Sequence, residues 1–194
     1  MGLETVLKNV QDFIKESADL NIKNRQDMDK LKERLKAGEI GNKGYHDKVQ
    51  QAQSDYEHSR IEKGDKLLEQ LQQTHSEELQ DIEDSIQSVT ADNVAELDLL
   101  TKFDLKHGDL DEYVQKYKHT PLALKRLKMI ASDKGIATNF PEDRKERLNV
   151  IIGRMENTVN KYKRFTDDYD VKINMKADGE VRGHAQDVSH YRSL

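Results

Sequence analysis

Cysteine and tryptophan are absent from this 194-residue chain, and proline occurs only twice. Without cysteine there can be no disulfide, no thiolate nucleophile and no Cys-ligated zinc or iron-sulfur centre. Apolar residues are also scarce, at 35% against 36% charged, where globular domains run at about 45 to 50% and about 25%. That is too little apolar material for one thick core. The charges are mixed in sign with a formal net of only -5, and the apolar residues recur at helical spacing, so elongated helices fit better than a disordered chain.

Long hydrophobic runs are missing as well. No stretch approaches the roughly 18 apolar residues of a membrane span, and Met1-Gly2-Leu3-Glu4-Thr5 has neither the basic nor the apolar region of a signal peptide nor the spacing of a myristoylation site. The sequence therefore predicts a soluble protein with no membrane partner.

What is present is a long apolar seam. Leu3, Leu7, Val10 and Ile14, then Met28, Leu31 and Leu35, fall on alternating three- and four-residue steps, the a/d spacing of a coiled coil. Val6, Phe13 and Leu20 flank it and widen the stripe, as when a helix faces more than one neighbour. Ser17, Asn21 and Asn24 occupy seam positions in the middle, where polar residues either loosen a coil or lock its register. Gly38, Gly41 and Gly44 then end the first helix and permit a reversal. A second helix is predicted from about Gly44 to Val89, continuing the seam through Leu68, Leu71, Leu79, Ile82 and Ile86, with a bend or fray point near Gly64. Residues 1–90 carry 13 basic and 19 acidic side chains, which makes them a poor ligand for nucleic acid.

Beyond Thr90 the texture changes to shorter helices with explicit boundaries. Thr90 or Asp92 can cap one that Gly108 ends, Asp109 a second, Thr120-Pro121 a third that stops at Lys134-Gly135, and Phe140-Pro141 a fourth reaching about Asp168. The last segment alternates at Val171, Ile173 and Met175 and contains Asp178-Gly179, which reads either as a small β-hairpin or as an extended tail. The predicted fold is all-α. It comprises a long antiparallel helical hairpin or coiled coil (1–90), a small four-helix module (91–168) and a C-terminal hairpin or tail (169–194). Residues 91–168 alone would bury only about 60% of their unfolded surface, so oligomerisation is a natural remedy.

Motifs that carry chemistry are wanting. Seven histidines invite a metal search, but Asp104-Leu105-Lys106-His107 is the nearest approach to a carboxylate-x-x-His pair and has no second copy. No phosphate loop, no Gly-x-Ser-x-Gly and no His-Glu-x-x-His occurs. The expectation is a non-enzymatic protein with no cofactor and no metal, self-associating through the seam. Lys116, Lys118, Lys125, Arg126 and Lys128 form a basic run that could meet phosphates or an acidic partner. Residues 91–170 balance 15 basic against 15 acidic side chains, which weighs against nucleic acid.

A charged coiled-coil arm followed by Asp111-Glu112-Tyr113-Val114-Gln115-Lys116-Tyr117-Lys118-His119-Thr120-Pro121-Leu122-Ala123-Leu124 resembles small proteins encoded by bacteriophages and prophages. That resemblance lies in general texture rather than in a diagnostic motif. It implies a homo-oligomeric virion component or assembly factor (internal core, connector-associated or scaffolding-like) in contact with other structural proteins. Its location would be the virion or the host cytoplasm. A nucleic-acid-binding accessory or regulatory protein, or a cellular coiled-coil adaptor in the cytoplasm, would share the composition.

Overall fold

The computed structural model describes residues 2–164 and 170–194, with 170–175 as backbone only. Seven helices appear among these residues, with no strand: α1 (Leu3–Lys36), α2 (Asn42–Ser85), α3 (Ala91–Lys102), α4 (Asp111–Lys116), α5 (Pro121–Asp133), α6 (Arg144–Lys163) and α7 (Asp170–Ser193). Two compact units result, one formed by Met1–Glu78 with Leu148–Ser193 and the other by Leu79–Arg147. The divisions thus fall inside α2 and α6, rather than near residues 90 and 168.

In the first unit α1 and α2 pack as the anticipated antiparallel hairpin. Cross-helix hydrogen bonds join Asn9 to Gln70 (3.1 Å), Lys63 to Glu16 (2.6 Å), Arg60 to Asn21 (3.0 Å) and Tyr56 to Asp27 (2.8 Å), so the α2 number falls as the α1 number rises. The reversal rests on Gly38, whose φ of 75° lets Gly38 N–H reach Leu35 O and Glu39 N–H reach Arg34 O, closing a Schellman motif. Gly41 and Gly44 have no positive φ, and Gly44 lies inside α2.

Two more helices complete a four-helix bundle. Glu4 meets Arg192 (2.7 Å) and Gln11 meets Val181 O (3.3 Å) between α1 and α7. His75 meets Asn149 (2.7 Å), and Asp65 meets Lys163, between α2 and α6. Between α6 and α7, Arg154 meets Asp187 (2.7 Å) and Thr158 meets His184 (3.1 Å). Every pair is antiparallel, the up-down-up-down arrangement of a bundle, with residues 79–147 inserted between its second and third helices. The core is apolar: Leu3, Val6, Val10, Phe13 and Ile14 of α1, Leu67 and Leu71 of α2, Leu148, Ile151, Ile152, Met155, Val159 and Tyr162 of α6, and Val188 and Tyr191 of α7. Val6 and Phe13, which the sequence places beside the seam, are buried because α1 faces two neighbours, whereas Leu7 is only half-buried.

The C-terminal segment corrects the sequence reading. No hairpin or extended tail forms; Asp170–Ser193 is one helix. Ala177, Val181, His184, Val188 and Tyr191 repeat at four- and three-residue steps, and four of the five are buried with Val181 half-buried. Because an alanine and a histidine hold two of these seam positions, the helical period is masked. Burial against α1 and α6 outweighs the roughly 1 kcal/mol that Gly179 costs a helix interior. The predicted end of α6 near Asp168, and Phe165 with it, lies outside the described residues. Gly64 is likewise not a break: α2 runs through it, and an added Cβ would collide with the Lys163 side chain and stand 3.3 Å from Phe13 Cζ. The glycine admits a close neighbour.

The second unit packs α3, α4 and α5 around Leu97, Leu100, Leu110, Val114, Tyr117, Leu127 and Ile130. Its boundaries follow local chemistry. Thr90 caps α3 in a capping box with Asn93 (3.3 and 3.0 Å), and Pro121 opens α5. Gly135 (φ 66°) closes α5, with Ile136 N–H bonded to Ala131 O at 2.8 Å. Three predicted signals act differently. α3 ends at Lys102, before Gly108, and Asp109 accepts from Lys106 N–H (2.7 Å) rather than capping α4. Asp143, not Pro141, starts α6, accepting from Lys145 N–H at 2.8 Å and Glu146 N–H at 3.2 Å.

Candidate functional site

Twelve seam residues follow from the sequence, and the structure distributes them over three environments. Leu3, Val10, Ile14 and Leu71 are fully buried inside the four-helix bundle, with Leu7 and Leu68 half-buried beside them. These side chains are consumed within one chain. Met28, Leu31 and Leu35 sit on the hairpin beyond the bundle core, where no residue from 19 to 59 is buried and the whole seam stays half-exposed. In the second unit, Leu79 is half-buried, Ile82 is 6% exposed and Ile86 is 41% exposed.

The half-exposed stretch is a two-helix arm. On α2 its seam continues through Tyr45, Val49, Ala52 and Tyr56, all partly covered. Two helices shield each other along one line only, so the flanks of every seam side chain meet solvent. The arm is pinned at its base by polar contacts. Arg60 is buried and donates through Nη1 to Asn21 Oδ1, and burial lowers the guanidinium pKa from its ordinary value. Higher up, Tyr56 Oη donates to Asp27, whose carboxyl is held below its usual pKa by the Tyr56 and Lys30 hydrogen bonds. Asn21 thus has a cross-helix partner through its side-chain oxygen, the contact that a register-setting polar seam residue requires.

The five basic candidates also separate. Lys116 is bonded to Glu96 (2.6 Å), which Tyr117 Oη also reaches, and this lowers the Glu96 pKa. Arg126 pairs with Asp98 (3.3 Å). Lys118, Lys125 and Lys128 have no carboxylate partner among the described residues, and Lys128 Nζ lies 5.5 Å from the Phe140 ring centroid. All three line a groove of about 440 Å³ within the second unit. Its apolar surface comes from Ile82, Ile86, Pro121, Leu122, Leu124 and Pro141. Sequence reasoning found the cations but missed the groove, because Ile82, Leu122 and Pro141 are far apart along the chain.

The histidines do not converge, and no group of three potential metal ligands gathers among the described residues. His75 bonds Asn149, His184 bonds Thr158, and His119 lines the groove. No described helix is long and apolar enough to cross a membrane. No family model, no curated protein and no solved structure matches this chain.

Proposed function

We propose that this chain is a non-enzymatic assembly protein that self-associates through its two-helix arm, the bundle anchoring the arm and the inserted unit meeting other proteins. The half-exposed seam over residues 19–59 carries this reading. A second arm laid against the first would cover flanks that one hairpin leaves wet, at about 25 cal/mol per Å² of apolar surface removed from water. Charge favours such a pairing. The α1 side of the arm bears Lys23, Arg25, Lys30, Lys32, Arg34 and Lys36 against Asp19, Asp27, Asp29 and Glu33, whereas the α2 side bears Lys43 and Lys48 against Asp47, Asp55 and Glu57. α1 of one copy facing α2 of another therefore brings opposite excess charges together.

The resemblance of the charged coiled-coil arm followed by residues 111–124 to small phage proteins extends the proposal to a bacteriophage particle, as an internal core, connector-associated or scaffolding-like component. A nucleic-acid role is less well supported, because Lys116 and Arg126 are neutralised by Glu96 and Asp98.

The absence of cysteine provides a direct test. Chains carrying a single cysteine on α1 (at Met28, Leu31 or Leu35) mixed with chains carrying one on α2 (at Val49, Ala52 or Tyr56) can join only through intermolecular disulfides. Paired arms predict rapid covalent heterodimers from at least one α1–α2 combination and none when either partner is replaced by Arg182→Cys on α7. Equal rates at all positions count against arm pairing. Recovery of the chain in many copies from purified phage particles tests the virion assignment.

A further inference from the structure

The groove of the second unit is independent of the arm, and its surroundings specify a partner. Leu122 is 71% exposed and Ile86 41%, two large aliphatic side chains at one concavity. Exposed apolar surface of this kind, rimmed by charge, marks an interaction site. A volume of about 440 Å³ suits a few large side chains, not a flat surface contact.

The rim is electrically one-sided. Its acidic residues are already engaged: Asp143 caps α6, and Glu142 pairs with Arg147 at 4.0 Å. Lys145 is bonded to Glu83 at 2.8 Å. Lys118, Lys125 and Lys128 line the same groove with no carboxylate partner among the described residues. α5 enters the groove at Pro121 with no acidic residue in its first turn and no side-chain cap, so the positive end of its dipole is also uncompensated. An occupant should be apolar where it enters and acidic where it meets the rim.

Backbone chemistry narrows the conformation. The groove is walled by helices and their connections, with no strand among the described residues, so no sheet edge offers hydrogen bonds to an extended peptide. An entering segment must satisfy its own backbone groups, as a helix does. Lys125 and Lys128 lie three residues apart on α5, about one turn, the interval at which a docked helix repeats its side chains.

We propose that this groove receives an acidic amphipathic helix of a partner protein, with large aliphatic anchors against Leu122, Ile86 and Leu124 and carboxylates meeting Lys118, Lys125 and Lys128.

The test uses the full chain and a fluorescein-labelled synthetic peptide of about four helical turns, with leucines on one face and glutamates elsewhere. Two controls are a scrambled peptide of identical composition and a version with lysine for every glutamate. The amphipathic acidic peptide should bind at least about tenfold more tightly than either control. Leu122→Asp, and separately Lys125→Glu with Lys128→Glu, should each weaken it about tenfold or more. These side chains are exposed, and unchanged circular dichroism verifies that the variants fold. Equal binding of the scrambled peptide, or indifference to both variants, overturns the proposal. So does displacement of the peptide by a DNA duplex or by a fatty acid at lower concentration, which reassigns the groove to that ligand. Loss of self-association in Leu122→Asp, seen by light scattering, reassigns it to a second copy of the chain.

Discussion

Arg60 donates through Nη1 to the side-chain oxygen of Asn21 at 3.0 Å, at the point where the α1–α2 hairpin leaves the buried part of the bundle. A slip of one heptad would set the guanidinium opposite Ile14 or Met28, neither of which offers an oxygen. The pair therefore selects one alignment of two long, repetitive helices, at some cost in stability, since Arg60 is only 7% exposed.

Replacing Asn21 by Ala removes an acceptor from a charged donor and is expected to cost about 1.5 to 3 kcal/mol. Urea unfolding followed by circular dichroism measures it. Asn21→Asp retains an acceptor and should recover most of the loss; if both variants are equally impaired, the contact does not set register.

Glycines divide by environment. A Cβ added at Gly153 or Gly179 meets nothing within 4 Å, and both are helical with negative φ, so Gly→Ala at either should stabilise by about 0.5 to 1 kcal/mol. Gly64→Ala should destabilise instead, because Lys163 and Phe13 occupy the space. Thermal melts of the three variants check the opposite signs.

Burial lowers the pKa of His184, and Arg154 adds to the effect, while Glu180 and Asp187 oppose it. The unfolded chain then binds a proton more readily than the folded one. The contribution is fully present above the ordinary histidine value of 6.5 and is lost as pH falls from there through the lower folded value. Stability should therefore decline with acidification from about pH 6.5, and His184→Gln should flatten that part of the profile. A steeper decline in the variant would contradict the assignment.

Tyr191 is fully buried, and its hydroxyl donates to Glu78 at 3.3 Å. Arg192 joins Glu4 and Glu78 beside it at 2.7 Å each. Tyr191→Ala should cost about 3 to 5 kcal/mol, whereas Tyr191→Phe should cost only about 0.5 to 1.5 kcal/mol. Denaturant melts separate the two. Equal, small losses would mean that α7 is not integral to the bundle.

What was legible in the sequence was local. The three- and four-residue spacing of Leu3 to Leu35 announces α1, Gly38 its end, and Thr120-Pro121 the start of α5, because caps and periodicity act within a few residues. Pairing across long sequence separations was not legible. Nothing in α1 alone indicates that it packs against α7, so Leu3, Val10 and Ile14, read as an intermolecular seam, are buried within the chain. α7 itself was missed because Gly179 and the alternation at Val171, Ile173 and Met175 imitate a hairpin, while its own heptad is written partly in Ala177 and His184. The basic run was visible, but the neutralisation of Lys116 by Glu96 and of Arg126 by Asp98 depends on how α3 packs against its neighbours.

If the arm is a surface for self-association, sedimentation equilibrium of the intact chain from about 1 to 100 µM will reveal it. It should give a mass that rises with concentration to a multiple of 22.5 kDa, and Leu31→Glu with Leu35→Glu should return the chain to a monomer that retains the helical signal of the bundle. A 22.5 kDa monomer across the whole range, or an oligomer indifferent to those two substitutions, would contradict it.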